Sequence, residues 1–199
     1  MKKILVAAAV GMLVAGSVAA QESPWLVRAR AVQLNMVNSD TTGLDLTVND
    51  KTIPEVDISY FFNKNVAAEL ILTVPQKQHV YSNGTDLGTF KHLPPTLTLQ
   101  YHFTDFAGYK PYVGAGLNYT QITAEKISAG GGTNNVTLSD KSVGGALQVG
   151  VDIPLTKQVS LNIDVKKVYL KTHVYAGGVD AGTLKLDPVL LGVGVGYRF

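Results

Sequence analysis

The chain has 199 residues, a formal net charge of +2 and no cysteine. A chain of this length suits one domain, and the absence of cysteine excludes a disulfide framework and thiol chemistry. So small a charge gives no reason to expect nucleic acid as a partner.

The first twenty residues have the pattern of a secretory signal peptide. Lys2 and Lys3 form a positive start, residues 4–15 are apolar, and Val18-Ala19-Ala20 supplies small residues for cleavage. We expect the mature chain to be residues 21–199, with equal numbers of basic and acidic side chains. The apolar run is too short for a spanning helix, so any membrane crossing falls to strands.

Alternation of apolar and polar residues predicts eight strands. In chain order these are residues 25–37, 52–62, 66–73, 96–103, 111–123, 142–153, 159–174 and 184–199. The long connections are predicted to be the loops 38–51, 75–93, 124–141 and 175–182. Short turns alternate with them, which is typical of an antiparallel membrane barrel with both chain ends on the periplasmic side.

The last strand shows the two faces of such a barrel. Bulky apolar residues alternate there with Gly192, Gly194 and Gly196, and the chain ends on Phe199. We therefore predict an all-β, eight-stranded transmembrane barrel in contact with lipid of the outer membrane of a Gram-negative-type bacterium. We expect the assembly machinery of that membrane to recognise the final strand. The alternative is a soluble lipocalin-like barrel with its apolar face inward, which the signal peptide and the aromatic end disfavour.

Four segments carry a family resemblance. They are residues 90–97 (FKHLPPTL), 111–120 (PYVGAGLNYT), 145–152 (GALQVGVD), and 186–188 (LDP) with the closing GYRF of 196–199. Together they resemble the OmpW family of outer-membrane proteins. The resemblance implies an eight-stranded barrel with a narrow apolar channel and a role in the uptake of small hydrophobic molecules. The loops match least, so the ligand is left open.

The inward phase near the short turns is strongly charged. Its charged residues are Arg28, Arg30, Asp57, Glu69, Asp152, Asp164, Lys166 and Arg198, with His102 beside them. Charges in a narrow lumen are costly unless they are paired. We therefore predict a cross-linked ionic plug at the periplasmic end of the lumen, in place of an open pore.

The same phase becomes apolar toward the long loops. The residues predicted to line an apolar funnel there are Val32, Leu34, Met36, Ile53, Ile71, Val168, Leu170, Leu184, Leu186 and Leu190. A funnel of this kind suits an apolar or amphipathic guest that enters from outside. The alternative is that these side chains only fill the barrel as core, since eight strands enclose little space.

Prolines suggest a lateral exit. Pro75 ends the third predicted strand, and Pro94 and Pro95 precede the fourth. Because proline donates no hydrogen bond to a β-ladder, pairing between these strands should be weak near the outer rim. The alternative is that the prolines only terminate strands. Pro188, inside the last strand, predicts a local bulge or a missing hydrogen bond toward one neighbouring strand.

Two functions remain open: a narrow channel for small hydrophobic molecules, and a non-conducting structural or adhesive barrel whose loops bind surface partners. An enzyme is not expected. His173 with Asp180 or Asp187 is the only histidine–carboxylate pair of interest near the outer rim, and no serine or cysteine nucleophile accompanies His102. Neither a metal site nor a cofactor is expected.

Overall fold

The structure, a computed structural model, describes residues 23–104, 106–128 and 135–199. The predicted signal peptide, residues 1–20, lies outside the described residues. Within the described ranges no helix has both the length and the apolar character needed to cross a membrane. The regular structure of these ranges consists of β-strands.

The strands follow the alternation of the sequence. In chain order they are β1 (Trp25–Asn35), β2 (Ser39–Asp40), β3 (Leu46–Val48), β4 (Lys51–Phe61), β5 (Val66–Thr73), β6 (Gln76–Ser82), β7 (Thr85–Leu93), β8 (Thr96–His102), β9 (Lys110–Ile127), β10 (Val136–Leu138), β11 (Lys141–Pro154), β12 (Val159–Val168), β13 (Lys171–Ala176), β14 (Val179–Lys185) and β15 (Val189–Arg198).

Eight of these strands close into a barrel. Each pairs antiparallel with the next in the order β1, β4, β5, β8, β9, β11, β12 and β15, and β15 pairs back to β1. The first and last strands are in register along their lengths, from Leu26 opposite Arg198 to Asn35 opposite Val189. The predicted eight-stranded antiparallel barrel is confirmed, since each of the eight strands pairs with a neighbour on both sides.

The remaining seven strands extend the barrel beyond its long-loop end. β3, β6 and β7 continue the wall on one side and join β9, while β10, β13, β14 and β2 continue it on the other. The prediction that residues 38–51, 75–93, 124–141 and 175–182 form loops was therefore wrong in large part. Polar side chains on the inward phase of β6 obscured its alternation. The β6–β7 hairpin turns at Asn83 and Gly84, both with positive φ, as two-residue hairpins require.

The wall is interrupted near Pro188. The predicted strand 159–174 is divided into β12 and β13, and residues 186–188 separate β14 from β15. Asp187 has a positive φ of 33°, and its Oδ1 accepts a hydrogen bond of 2.8 Å from the backbone N–H of Leu170. The backbone N–H of Val168 donates to the carbonyl of Pro188 at 3.1 Å. The irregularity predicted at Pro188 is present.

The two faces of the wall differ as the alternation requires. Apolar side chains cover the outside of the eight barrel strands, and an aromatic group surrounds the short-turn end. Its exposed members are Trp25, Tyr60, Phe62, Tyr101, Phe103, Phe106, Tyr109 and Phe199. The inside is polar toward the short turns and apolar toward the extension. This division places two chemically different compartments in one lumen.

Candidate functional site

Eight charged side chains meet at the short-turn end of the lumen, and we call this group the ionic floor. Its members are Arg28, Arg30, Glu55, Asp57, Glu69, Asp152, Asp164 and Lys166, and all are buried. Register explains part of the arrangement, because Arg28 lies directly opposite Asp57 and Arg30 directly opposite Glu55 in the β1–β4 pair. Opposite charges at facing positions are favourable cross-strand neighbours.

Arg28 binds carboxylates from three strands. Its Nε and Nη2 donate to the two carboxylate oxygens of Asp152 at 3.0 and 2.7 Å. Its Nη1 donates to Asp57 at 3.0 Å, to Glu69 at 3.3 Å and to the hydroxyl of Ser59 at 3.0 Å. The five donors of a guanidinium suit this role, which a single ammonium could not fill.

Arg30 and Lys166 complete the floor on the side nearer the extension. Arg30 Nη2 lies 2.8 Å from Glu55, 2.9 Å from Asp57 and 3.4 Å from Glu69. Lys166 Nζ donates to both carboxylate oxygens of Glu55 at 3.2 Å. Three cations thus share five carboxylates, and the contacts run across the full width of the barrel.

Neutral polar side chains donate further hydrogen bonds to carboxylates of the floor. Gln100 Nε2 donates to Glu69 at 2.8 Å, and Gln148 Nε2 donates to Asp164 at 2.8 Å. The hydroxyl of Tyr112 donates to the same Asp164 carboxylate at 2.8 Å. His102 Nε2 pairs with Gln100 Oε1 at 2.9 Å. Buried charges with this many partners hold the floor in one arrangement.

Glycines on neighbouring strands leave the space that the side chains of the floor occupy. A Cβ on Gly194 would lie 2.7 Å from Cγ of Arg30, and one on Gly196 would lie 3.2 Å from Cγ of Arg28. Gly150 leaves space for Tyr112, whose hydroxyl would lie 2.4 Å from an added Cβ. The arginine side chains therefore lie across bare backbone of β15.

The structure brings together seven of the eight residues predicted for the plug and places the eighth elsewhere. Arg198 lies below the floor, where its guanidinium is 4.1 Å from the ring centre of Phe61 and its Nε donates to the carbonyl of Ser23 at 2.9 Å. Glu55 was missed, although it precedes Asp57 by two residues and therefore shares its face. The alternation rule could have found it.

Above the floor, the lumen is filled by apolar side chains. Of the predicted funnel residues, Met36 is half-buried and the others are fully buried. All of them except Ile71 belong to one hydrophobic cluster or pack against it. The cluster continues into the extension strands, through residues that were not among those predicted to line the funnel: Leu46, Val48, Val80, Phe90, Ile122, Ile127, Val136, Leu138 and Val174.

A small cavity lies between the apolar cluster and the floor. Its volume is about 30 Å³, which is room for a few water molecules at most. Glu55 and Lys166 form its base, and Leu34, Ile71 and Leu190 contribute apolar wall. Among the described residues, the apolar side chains form a packed core above this cavity, which is too small for an organic ligand.

On one side of the cavity, the hydrogen-bonded ladder of the barrel wall is interrupted. The ladder between β5 and β8 ends where Ile71 lies opposite Thr96, and the ladder between β6 and β7 begins where Gln76 lies opposite His92. In the described part of the chain, no ladder pairing joins residues 72–75 to residues 93–95. We call this break the seam. It contains the three predicted prolines, Pro75, Pro94 and Pro95.

Polar groups border the seam. Asn118, inward on β9, donates from Nδ2 to the carbonyls of Pro94 and Pro95 at 3.3 Å each. Thr73, Pro94 and Asn118 also line the cavity, together with His92. The seam and the cavity are therefore adjacent.

The other candidate residues lie away from this region. His173 and Asp180 are about half exposed, with Nδ1 and Oδ2 3.4 Å apart on the β13–β14 hairpin. Asp187 instead caps the Leu170 N–H described above. Among the described residues, no group of three or more His, Cys, Asp and Glu side chains is arranged to hold a metal ion.

A closed barrel with an apolar outer belt, an aromatic girdle and a polar lumen defines the protein as a transmembrane β-barrel of the bacterial outer-membrane type. A profile of the OmpW family matches residues 14–199. The chain belongs to the OmpW family, and its place is the outer membrane of a Gram-negative bacterium. Short turns of such barrels typically face the periplasm, so we expect the extension to lie on the extracellular side.

Several known proteins are similar along their length. The uncharacterised outer-membrane protein y4mB of Sinorhizobium fredii is 45% identical over 192 residues, covering 92% of this chain and 82% of that protein. Outer membrane protein W of Escherichia coli is 32% identical over 213 residues and covers both chains fully. The dibenzothiophene metabolism operon protein PahQ of Pseudomonas aeruginosa is 28% identical, covering 90% of each.

Solved structures agree with the fold. The crystal structure of OprG from Pseudomonas aeruginosa superposes with a TM-score of 0.75 at 24% identity, covering 90% of this chain and 97% of that one. The solution structure of Escherichia coli outer membrane protein W gives a TM-score of 0.65 at 27% identity, covering 91% and 100%.

Proposed function

We propose that the protein is a channel for small hydrophobic or amphipathic molecules. In this proposal the guest enters the apolar outer lumen from the extracellular side, stops above the ionic floor, and leaves sideways through the seam into the bilayer. The observation that carries the proposal is the position of the cavity, which has the floor as its base, apolar side chains around it and the seam at its side.

The floor argues against passage straight through. An apolar guest moving toward the periplasm would have to separate Arg28 from Asp152 and Arg30 from Glu55, all of them buried. Separating buried ion pairs without supplying new partners leaves charges uncompensated, which is costly. The bilayer, in contrast, is as apolar as the guest. A sideways exit is therefore the cheaper route.

The cavity is smaller than a guest. Ligand sites for small organic molecules are usually about 300 Å³ or larger, against the 30 Å³ found here. We therefore assign this conformation to the closed state. Opening requires apolar side chains such as Leu34 and Leu190 to move aside or the seam to widen. The prolines favour the second, because in the described part of the chain no ladder joins residues 72–75 to residues 93–95.

One relative is consistent with an apolar guest. The name of PahQ associates that protein with dibenzothiophene metabolism, and dibenzothiophene is an uncharged aromatic compound. For this chain the guest class rests on the apolar lining alone.

A second candidate is a non-conducting structural or adhesive barrel. The continuous packing of the outer lumen favours it, because a filled lumen needs no guest. In both cases we propose that the outer-membrane assembly machinery receives the chain through β15. We propose no catalytic role, since His102 is held by Gln100 within the floor.

Uptake of naphthalene by cells tests the channel. Leu34→Asp and Leu190→Asp place a charge in the apolar lumen, and its desolvation should repel the guest. We expect each variant to lose most of the protein-dependent uptake, normalised to folded protein in the outer membrane. Leu191→Asp, on the exposed lipid face, is the comparison and should reduce assembly. Wild-type uptake equal to that of cells lacking the protein would favour the structural barrel.

A further inference from the structure

Two buried polar side chains in the extracellular part of the lumen lack hydrogen-bond partners. In the described residues, both side-chain polar atoms of Gln78 and both ring nitrogens of His92 are buried with no partner among the protein groups. Gln78 is 0% exposed and His92 is 3% exposed. Leaving such groups unsatisfied is unfavourable, so their presence inside an apolar cluster needs an explanation.

The two side chains are close to each other and to the proposed path of the guest. Gln76 lies opposite His92 and Gln78 opposite Phe90 in the β6–β7 hairpin. Gln78 and His92 are therefore diagonal neighbours on the inward face, within reach of one another's long side chains. His92 lines the cavity beside Pro94 of the seam.

The hydrogen-bonding capacity of the pair is defined by its charge state. Burial, with a smaller contribution from the Lys51 ammonium, lowers the pKa of His92 to about 4. β7 lies in the extracellular extension, outside the spanning strands, and His92 is neutral there at pH 7. A neutral imidazole offers one donor and one acceptor, and the amide of Gln78 offers two donors and one acceptor.

We propose that Gln78 and His92 bind the polar group of an uncharged amphipathic guest, a hydroxyl or a carbonyl, while its apolar body lies among Leu34, Ile71 and Leu190. A hydroxyl could both donate to and accept from these two side chains, and a carbonyl could accept from the Gln78 amide or the His92 ring N–H. The site offers no countercharge, so a carboxylate or an ammonium is a poorer guest. This inference rests on the proposed channel function, and it narrows the guest from any hydrophobic molecule to one with a single neutral polar group.

The matched pair 2-naphthol and naphthalene tests the inference, because the two compounds differ by one hydroxyl. Uptake of each is measured in cells with and without the full-length protein. We expect wild type to favour 2-naphthol, and the double variant Gln78→Leu, His92→Leu to lower the ratio of 2-naphthol to naphthalene uptake roughly fivefold. Since the leucines replace orphaned polar atoms, the variant should fold at least as well as wild type.

Gln76→Leu is the matched control. Gln76 is also a buried glutamine on the inward face of β6, but its amide donates to the carbonyl of Val74 at 2.8 Å. Its replacement should leave the uptake ratio at the wild-type value.

The outcomes separate the two proposals. If neither compound enters faster with wild type than without it, the channel itself is wrong. If both enter and the double variant keeps the wild-type ratio, the channel stands and the polar site is wrong. Binding at His92 can be measured directly from the NMR signals of its imidazole ring, in isotope-labelled wild-type protein in lipid nanodiscs. They should shift on addition of 2-naphthol and not naphthalene, and equal shifts with both would overturn the proposal.

Discussion

Arg28 and Asp152 are 124 residues apart in the chain and face each other in the lumen through two parallel hydrogen bonds of 3.0 and 2.7 Å. The planar guanidinium and the carboxylate match in shape, so this pair has a defined geometry as well as opposite charge. Through Asp57 and Glu69 the same guanidinium also reaches β4 and β5. One side chain thereby connects four strands of the barrel.

We expect Arg28→Ala to lower the free energy of unfolding by about 3–5 kcal/mol, because it leaves buried carboxylates without their cation. Urea unfolding in lipid vesicles, followed by the fluorescence of Trp25, the single tryptophan, measures the change. Lys64→Ala removes an exposed cation in the first short turn and should change stability little. An Arg28→Ala midpoint equal to that of wild type would mean that the floor contributes nothing to stability.

The floor should also block ions. Arg30→Ala removes the cation between Glu55, Asp57 and Glu69 and leaves a gap lined by negative charge. We expect wild type to be nearly non-conducting in planar bilayers and Arg30→Ala to pass cations in preference to anions. Arg30→Lys keeps the charge and should conduct less than Arg30→Ala. Large wild-type conductance would contradict the proposed plug.

The seam should depend on its prolines. Replacing Pro75, Pro94 and Pro95 with alanine restores three backbone N–H groups that can extend the ladders across the break. We expect the triple variant to take up naphthalene several times more slowly than wild type while remaining fully assembled. Pro154→Ala, at the periplasmic end of β11, serves as the control. Unchanged uptake in the triple variant would remove the seam from the proposed path.

Orientation can be read by thiol labelling, since the chain contains no cysteine. Thr85→Cys places an exposed thiol after the β6–β7 turn, and Lys157→Cys places one in the short turn before β12. A membrane-impermeant maleimide applied to intact cells should label the first and spare the second. The reverse result would invert the barrel in the membrane.

The barrel could be predicted because its strands alternate cleanly. Outward residues such as Leu191 and Val193 face lipid and must be apolar, so the period of two survives along every spanning strand. The extension could not be predicted in the same way. Its outer face meets water and its inner face includes Gln76 and Gln78, so neither face is consistently apolar.

The candidate site was predictable only in part, for a related reason. Alternation identifies which side chains point inward, and opposite charges on neighbouring strands then indicate partners such as Arg28 and Asp57. It gives no measure of how tightly the apolar side chains fill the lumen. The orphaned polar atoms of Gln78 and His92 were also out of reach, because β6 and β7 had been assigned to a loop.

The glycine face of β15 has a consequence for how the barrel is made. Between Leu190 and Arg198 its inward positions are Gly192, Gly194 and Gly196, so the strand brings almost no side-chain volume into the lumen. Because these positions are glycines, β15 can pair with β1 and β12 after the other strands have paired, without moving large side chains past Arg28 and Arg30. If β15 is the last strand to pair, Arg28 and Arg30 lose contact with water only when the barrel closes.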